Sequence, residues 1–254
     1  MELLKEFVKQ KKVFVAAHRG SSGTAPENTM AAFTQALKGG ADMIEIDVQI
    51  SYDNHIICFH DSKLGRTAKG KQRISRLNLK AIKKIDVGSW FDPYYSREKI
   101  PTLRDVIELI RDKAYLNIEI KTRPNANNEK RASIIYDAVK KLDYLDYTLF
   151  GSFDHKILKY LKEKDPNVNT AAIKVPDDQT LPSELKEKYN VDAFVCSYEE
   201  INDEIDKNAK ENNIYLAVYT IDNWYEMEKV KQYTIKTIVT DYPATVNPIL
   251  NKYF

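Results

Sequence analysis

Short apolar runs alternate along this chain with segments whose apolar residues recur at helical spacing. The predicted strands cover residues 13–17, 44–49, 115–121, 148–152, 170–175, 193–197, 215–220 and 237–240. Helical periodicity follows the strands at about 29–38, 102–110, 129–142, 154–163, 182–189, 202–212 and 222–232, and again from about 244. Eight strands that alternate with helices indicate parallel pairing through right-handed crossovers. For a chain of 254 residues, this pattern favours a closed (β/α)8 TIM barrel, an α/β fold, over an open sheet.

One part of the chain departs from this rhythm. After the second strand a short hairpin ends near Phe59, and residues 62–101 are then polar and irregular, with a short helix near 79–85. We expect this segment to be a small insertion, too polar for a core of its own, within one barrel domain that spans residues 1–254. The N-terminal residues form an amphipathic pattern that predicts a helix packed on the body of the domain.

Composition excludes several classes of protein. The chain carries 39 basic and 37 acidic residues, a net charge of +2, whereas nucleic-acid-binding domains usually show a clear basic excess. Cys58 and Cys196 both lie in apolar runs, which predicts buried free thiols of a reducing compartment. No apolar run approaches the length of a membrane span, and the first residues lack a signal-peptide pattern. These features predict a cytoplasmic protein with no stable membrane insertion.

Three carboxylates fall where the active sites of such barrels lie, toward the carboxyl ends of the strands. Glu45 and Asp47 are two residues apart, so they share one face of the second strand, and Glu119 has the same setting on the third. With the aliphatic neighbours facing the helices, we expect all three to point into the barrel. Their oxygen-only donor set predicts a Ca²⁺ or Mg²⁺ site. Two alternatives are solvent-facing acids on a half-exposed strand, or neutralisation by basic side chains without a metal.

Two histidines and two cations accompany these carboxylates at strand ends. His18 and His60 are candidates for general acid and base, because imidazole titrates near neutral pH. Arg19 and Lys121 provide positive charge that suits an anionic substrate. A metal, two imidazoles and two cations fit the hydrolysis of a phosphate ester. The other histidines, His55 in a turn and His155 at a helix start, are predicted to be surface residues.

In this order, these residues resemble the glycerophosphodiester phosphodiesterase family. The matching segments are A-H-R-G at 17–20, P-E-N-T at 26–29, G-A-D-M-I-E-I-D-V at 40–48, H-D at 60–61, L-G-R-T at 64–67, G-S-W-F-D at 88–92, I-P-T-L at 100–103, L-N-I-E-I-K at 116–121, S-F-D at 152–154 and V-T-D-Y-P at 239–243. The resemblance implies a TIM barrel with a small insertion after the second strand. It also implies metal-dependent hydrolysis of glycerophosphodiesters to sn-glycerol 3-phosphate and an alcohol.

The resemblance implies a role for each candidate residue. Glu45, Asp47 and Glu119 would bind the Ca²⁺ or Mg²⁺ ion, His18 and His60 would form the acid–base pair, and Arg19 and Lys121 would contact the phosphate. Where many members carry V-W-T-V-N near the seventh strand, this chain has V-Y-T-I-D at 218–222. Tyr219 would therefore replace the tryptophan that packs on glycerol, unless it only fills the barrel.

Several points stay open at the level of sequence. Either histidine suits either proton-transfer role, and the nucleophile is either water or a substrate hydroxyl that first forms a cyclic phosphate. The leaving alcohol, the choice between the two metals and the oligomeric state are also undetermined. The alternatives are a related lysophospholipase D-like phosphodiesterase and a barrel that binds metal without turnover. The second is disfavoured because every expected histidine and carboxylate is present.

Overall fold

The eight predicted strands form a closed parallel barrel in a computed structural model that describes residues 1–253. The nine strands of the sheet are β1 Phe14–Ala17, β2 Met43–Ile50, β3 Ile56–Cys58, β4 Tyr115–Ile120, β5 Thr148–Ser152, β6 Asn169–Ile173, β7 Ala193–Ser197, β8 Tyr215–Tyr219 and β9 Ile235–Thr240. All except β3 pair in parallel, and the β1–β2 and β1–β9 pairings close the ring. The prediction of a TIM barrel is therefore confirmed.

Helices follow the barrel strands and form the outer layer. The ten helices are α1 Leu4–Gln10, α2 Met30–Lys38, α3 Leu79–Ile82, α4 Leu103–Ile110, α5 Asn128–Lys141, α6 His155–Lys164, α7 Pro182–Tyr189, α8 Asp203–Glu211, α9 Trp224–Val230 and α10 Pro243–Tyr253. Among the described residues, no helix is both long and apolar enough to cross a bilayer. Thr102 caps α4 by accepting from the Asp105 backbone amide, while the Asp105 carboxylate accepts from the Thr102 amide.

The alternation in β2 decides which side chains face which layer. Ile44, Ile46 and Val48 are fully buried against α2 and α4, in the apolar layer between strands and helices. The residues between them therefore point to the barrel interior, as expected from the two-residue period of a strand. The β2–β4 register places Asp47 directly beside Glu119. Local sequence pattern and strand pairing together bring these carboxylates to the same place.

The insertion after β2 has a small apolar core, which corrects the expectation that it is too polar to have one. The buried cluster consists of Ile57, Phe59, Leu64, Ala68, Ile74, Ile82, Val87 and Ile100. These residues are widely and irregularly spaced, so no helical or strand period shows them in the sequence. Turns and the β2–β3 hairpin gather them, and they anchor the segment to the barrel through β3.

Two further expectations concern buried groups. Cys58 and Cys196 are buried free thiols, as predicted. His155 is not a surface residue: it is only 8% exposed, and its Nε2 lies 2.8 Å from the carbonyl oxygen of Ile173. The reason is that the start of α6 packs against the end of β6, and a contact between neighbouring βα units leaves no mark on the local sequence.

Candidate active site

The three predicted carboxylates converge inside the barrel mouth. Glu45 and Asp47 are 4% and 0% exposed, and Glu119 lies beside them on β4. One oxygen from each of the three carboxylates can be chosen so that all lie within 4.8 Å of one another. The alternative hypothesis of solvent-facing acids is therefore wrong, because two of these side chains are almost inaccessible to water. A hard divalent cation has the size and charge to bind such an oxygen set.

The two predicted cations lie against this cluster. Arg19 Nε is 2.9 Å from one oxygen of Asp47, and Lys121 Nζ is 2.9 Å from the other. Lys121 also pairs with Glu119. Arg19 has a positive φ of 54°, which is uncommon for a residue with a side chain. Its backbone amide donates a 2.8 Å hydrogen bond to Glu45.

The cations compensate the carboxylates unequally. Burial alone would raise the pKa of Asp47, but the charges of Lys121 and Arg19 outweigh it and lower that pKa to about 2. Burial raises the pKa of Glu45 to about 8, and the negative charge of Asp47 adds to this rise. Neutralisation by basic side chains is therefore sufficient for Asp47 and insufficient for Glu45. A divalent cation fits the remaining imbalance.

Each candidate acid–base histidine is held by a carboxylate of its own. His18 Nδ1 is 2.7 Å from Asp241, and His60 Nδ1 is 2.8 Å from Asp61. With Nδ1 donating to a carboxylate, Nε2 of each ring is left to exchange a proton with substrate. Burial lowers the pKa of His18, but the hydrogen bond that it donates to Asp241 and the charge of Glu45 outweigh burial and raise that pKa overall.

Five residues for which the sequence predicts no role orient this site. Besides Asp241 and Asp61, Asn28 donates to Asp47 at 2.9 Å and accepts from its amide. Arg66 binds Glu27 through two nitrogens, at 2.6 and 2.7 Å, and donates to Asp61 at 2.9 Å. All five lie within the matching motifs, so position in a motif was the available signal. Which atom each one contacts follows only from the fold.

A cavity of about 270 Å³ opens above the cluster. One side is polar and carries both histidines, Glu45, Glu119 and Lys121, whereas the opposite side, from the strands β5 to β9 and the loops after them, is largely apolar. Tyr219 lies on the second side, where the sequence predicted a wall for substrate. All eight predicted site residues are therefore in or directly beneath one cavity. His55, by contrast, lies outside it with its side chain 50% exposed.

Comparison with known proteins assigns this barrel to a family. The model of the glycerophosphoryl diester phosphodiesterase family matches residues 18–245. A glycerophosphodiester phosphodiesterase of Caldanaerobacter subterraneus subsp. tengcongensis is 34% identical over 247 residues, which cover 95% of this chain and 99% of the relative. A Bacillus subtilis enzyme of the same name is 28% identical over 95% of this chain and 88% of its own length.

Solved structures agree with this assignment. An Oleispira antarctica phosphodiesterase in complex with the product sn-glycerol-3-phosphate superposes with a TM-score of 0.87 at 27% identity, covering 96% of this chain and 99% of that one. A glycerophosphodiester phosphodiesterase from Agrobacterium tumefaciens gives 0.79 at 26% identity, with 91% and 97% covered. The chain therefore belongs to the glycerophosphoryl diester phosphodiesterase family.

Proposed function

We propose that this protein hydrolyses glycerophosphodiesters with a bound Ca²⁺ or Mg²⁺ ion and releases sn-glycerol 3-phosphate and an alcohol. The observation that carries the proposal is the meeting of three carboxylates and two carboxylate-held histidines in one cavity. Family membership supports the reaction class. The product complex of the Oleispira antarctica relative supports sn-glycerol 3-phosphate as the product here.

Glu45, Asp47 and Glu119 are the proposed metal ligands. These three residues would hold a divalent cation, which would supply positive charge to the phosphoryl oxygens and the glycerol hydroxyls. The fit rests on the donor set and on Glu45, whose pKa of about 8 reflects burial without sufficient compensating charge. Asn28 donates a hydrogen bond to Asp47 and Arg19 pairs with it, so both hold this ligand in position.

His18 and His60 are the proposed acid–base pair. The Nδ1 contacts to Asp241 and Asp61 orient the two rings and leave Nε2 of each free for the substrate. Nε2 of one ring takes the proton of the attacking hydroxyl, and Nε2 of the other returns a proton to the leaving alkoxide. The same pair serves attack by water or by a glycerol hydroxyl, because both nucleophiles must lose one proton.

The two cations and the tyrosine are proposed to bind substrate. Lys121 and Arg19 both line the cavity as well as pairing with Asp47. Their charges are therefore close enough to the cavity to attract the phosphodiester anion. Tyr219, which lies on the apolar side, is the residue we propose to pack on the carbon skeleton of glycerol.

The proposal predicts metal-dependent release of sn-glycerol 3-phosphate from glycerophosphocholine and glycerophosphoethanolamine. The measurement is an enzyme-coupled assay of glycerol 3-phosphate with Ca²⁺, with Mg²⁺ and with EDTA. Activity with either ion that EDTA removes is the expected result. Inactivity on these and on other glycerophosphodiesters with both ions would show that the proposed function is wrong, and metal binding without turnover would favour the silent barrel.

A second prediction tests the carboxylate that holds His18. Asp241→Asn keeps the size of the side chain but removes its charge, so the protonated form of His18 is less stable and its pKa falls. We expect kcat to fall by roughly tenfold to a hundredfold, and the inflection of the pH profile that reports His18 to move to lower pH. A purely structural role would instead change the melting temperature and leave the shape of the pH profile as it is in the wild type.

The apolar side of the cavity favours lysophospholipids as a second substrate class. Phe153, which is 40% exposed, continues this side toward solvent from Ile173 and Val195. An acyl chain on glycerol would need such a surface near the barrel mouth. Comparing kcat/KM for glycerophosphocholine and lysophosphatidylcholine separates the two substrate classes. Phe153→Ser is expected to lower kcat/KM only for the acylated substrate.

A further inference from the structure

An arginine cluster beside the active site lacks the acidic partners that the other site cations have. We define it as Arg73 from the insertion, Arg123 from the loop after β4, and Arg131 from the first turns of α5. In the described part of the chain, none of the three forms an ion pair with a carboxylate. By contrast, Arg66 pairs with Glu27 and Asp61, and Lys121 pairs with Asp47 and Glu119.

Burial makes this lack of partners more significant. The Nε atoms of Arg123 and Arg131 are buried and have no hydrogen-bond partner among residues 1–253. Burial and the charge of Arg73 lower the pKa of Arg123. Burial and the charge of Arg123 lower the pKa of Arg131 to about 10. Like charges held together without a counter-charge store unfavourable energy that a bound anion relieves.

Hydrogen bonds connect this cluster to the catalytic residues. Arg123 Nη2 donates to Gln49 Oε1 at 2.6 Å, and Gln49 Nε2 donates to the carbonyl oxygen of His60 at 3.1 Å. Arg131 Nη2 lies 3.4 Å from the carbonyl oxygen of Lys121. Arg123 is thus linked to the backbone of His60 through Gln49, and Arg131 contacts the backbone of Lys121. An anion at the cluster would lie next to the segments that carry His60 and Lys121, separate from the three carboxylates.

We propose that the arginine cluster is a second anion subsite, which selects glycerophosphodiesters whose leaving alcohol carries a further phosphate group. The proposal rests on the proposed function and specifies its substrate class. The glycerol half of the substrate carries neutral hydroxyls, so an additional anion must belong to the alcohol half. Phosphate is the expected group, because guanidinium nitrogens match its oxygens in pairs.

Two substrates that differ by one glycerophosphate unit test the subsite. In both glycerophosphoglycerol and bis(glycerophospho)glycerol the leaving group departs through a glycerol oxygen. The leaving group of the second compound carries another phosphodiester. Its two equivalent scissile bonds account for a factor of two in rate. Beyond that factor, we expect the wild-type kcat/KM to be about tenfold higher for the bis compound, the size of one charge-assisted hydrogen bond. Salt is expected to reduce this ratio.

Matched variants assign the preference to the cluster. In Arg123→Gln/Arg131→Gln the ratio should fall toward two, whereas Arg104→Gln should keep it. Arg104 is an exposed arginine on α4 that pairs with Glu108, so its replacement controls for the general loss of positive charge. Arg73→Gln, at an exposed position, should lower the ratio partly. If the double variant does not fold, this single variant tests the subsite instead.

The outcomes separate this inference from the proposed function. Turnover of both substrates at a ratio of two in the wild type, or an unchanged ratio in the double and Arg73 variants, would overturn the subsite and leave the hydrolase in place. No turnover of either substrate with Ca²⁺ or Mg²⁺ would overturn the proposed function itself. The ratio is the readout because Arg123 also contacts Gln49, so a change at His60 would affect both substrates alike.

Discussion

Alanine at His18 or at His60 is expected to lower kcat by roughly 10³-fold on glycerophosphocholine while the protein stays folded. The reason is that each imidazole is held by its own carboxylate, and among the described residues no other imidazole lines the cavity. Steady-state kinetics with saturating metal measure the effect. His55→Ala is the matched control, since that side chain is half exposed and outside the cavity. An unchanged kcat in either active-site variant would contradict the assignment.

A change of leaving group identifies the acid. With a p-nitrophenyl ester of glycerol phosphate, the departing phenolate needs no proton, so the variant that lacks the general acid recovers most of its activity. The variant that lacks the general base stays impaired, because the nucleophile must still be deprotonated. Equal loss in both variants on both substrates would argue that the histidines position the substrate rather than transfer protons.

Replacing Glu45 by glutamine is expected to raise the dissociation constant for Ca²⁺ or Mg²⁺ by at least about 100-fold and to remove activity with it. Glutamine keeps the shape of the side chain but takes one negative charge from the oxygen set. Isothermal titration with each ion measures the affinity directly, without reliance on turnover. Glu108→Gln, at an exposed position on α4, is the control. Wild-type affinity in Glu45→Gln would place the ion elsewhere.

The raised pKa of Glu45 also predicts how pH affects metal binding. In the metal-free protein this carboxyl has a pKa of about 8, so near neutral pH it holds a proton that the ion must displace. Metal affinity should therefore increase with pH up to about 8, by as much as about tenfold per unit. The pKa of Glu45 is higher in the folded protein than in the unfolded chain, so the metal-free protein should lose stability as the pH rises toward and through about 8. The stabilisation by added metal should grow in the same direction.

Much of the fold could be predicted because its signals are local. The period of two in β2 and the helical spacing in α2 and α4 depend only on neighbouring residues, and both patterns persist in the structure. The small core of the insertion was missed because its members, such as Ile57 and Ile100, come together through turns without a period. His155 was misplaced because its burial depends on the adjoining βα unit.

The sequence by itself determined the barrel and the chemistry available in it. Glu45 and Asp47 share a face because they are two residues apart on a strand, and their aliphatic neighbours leave them the inner side. Parallel strands end at one rim, so His18, Lys121 and Glu119 could be expected near them. These inferences needed element types and directions, and no particular long-range contact.

Only the tertiary structure decided which partner each group has. His18 and Asp241 are 223 positions apart in the chain, yet β1 pairs with β9 when the barrel closes, and this places Asp241 on the imidazole. The β1–β2 and β2–β4 pairings likewise place Arg19 and Lys121 on Asp47. Arginine side chains without acidic partners likewise become visible only when every neighbour is known. Charge compensation depends on distances of a few ångströms between segments remote in sequence, which no local pattern encodes.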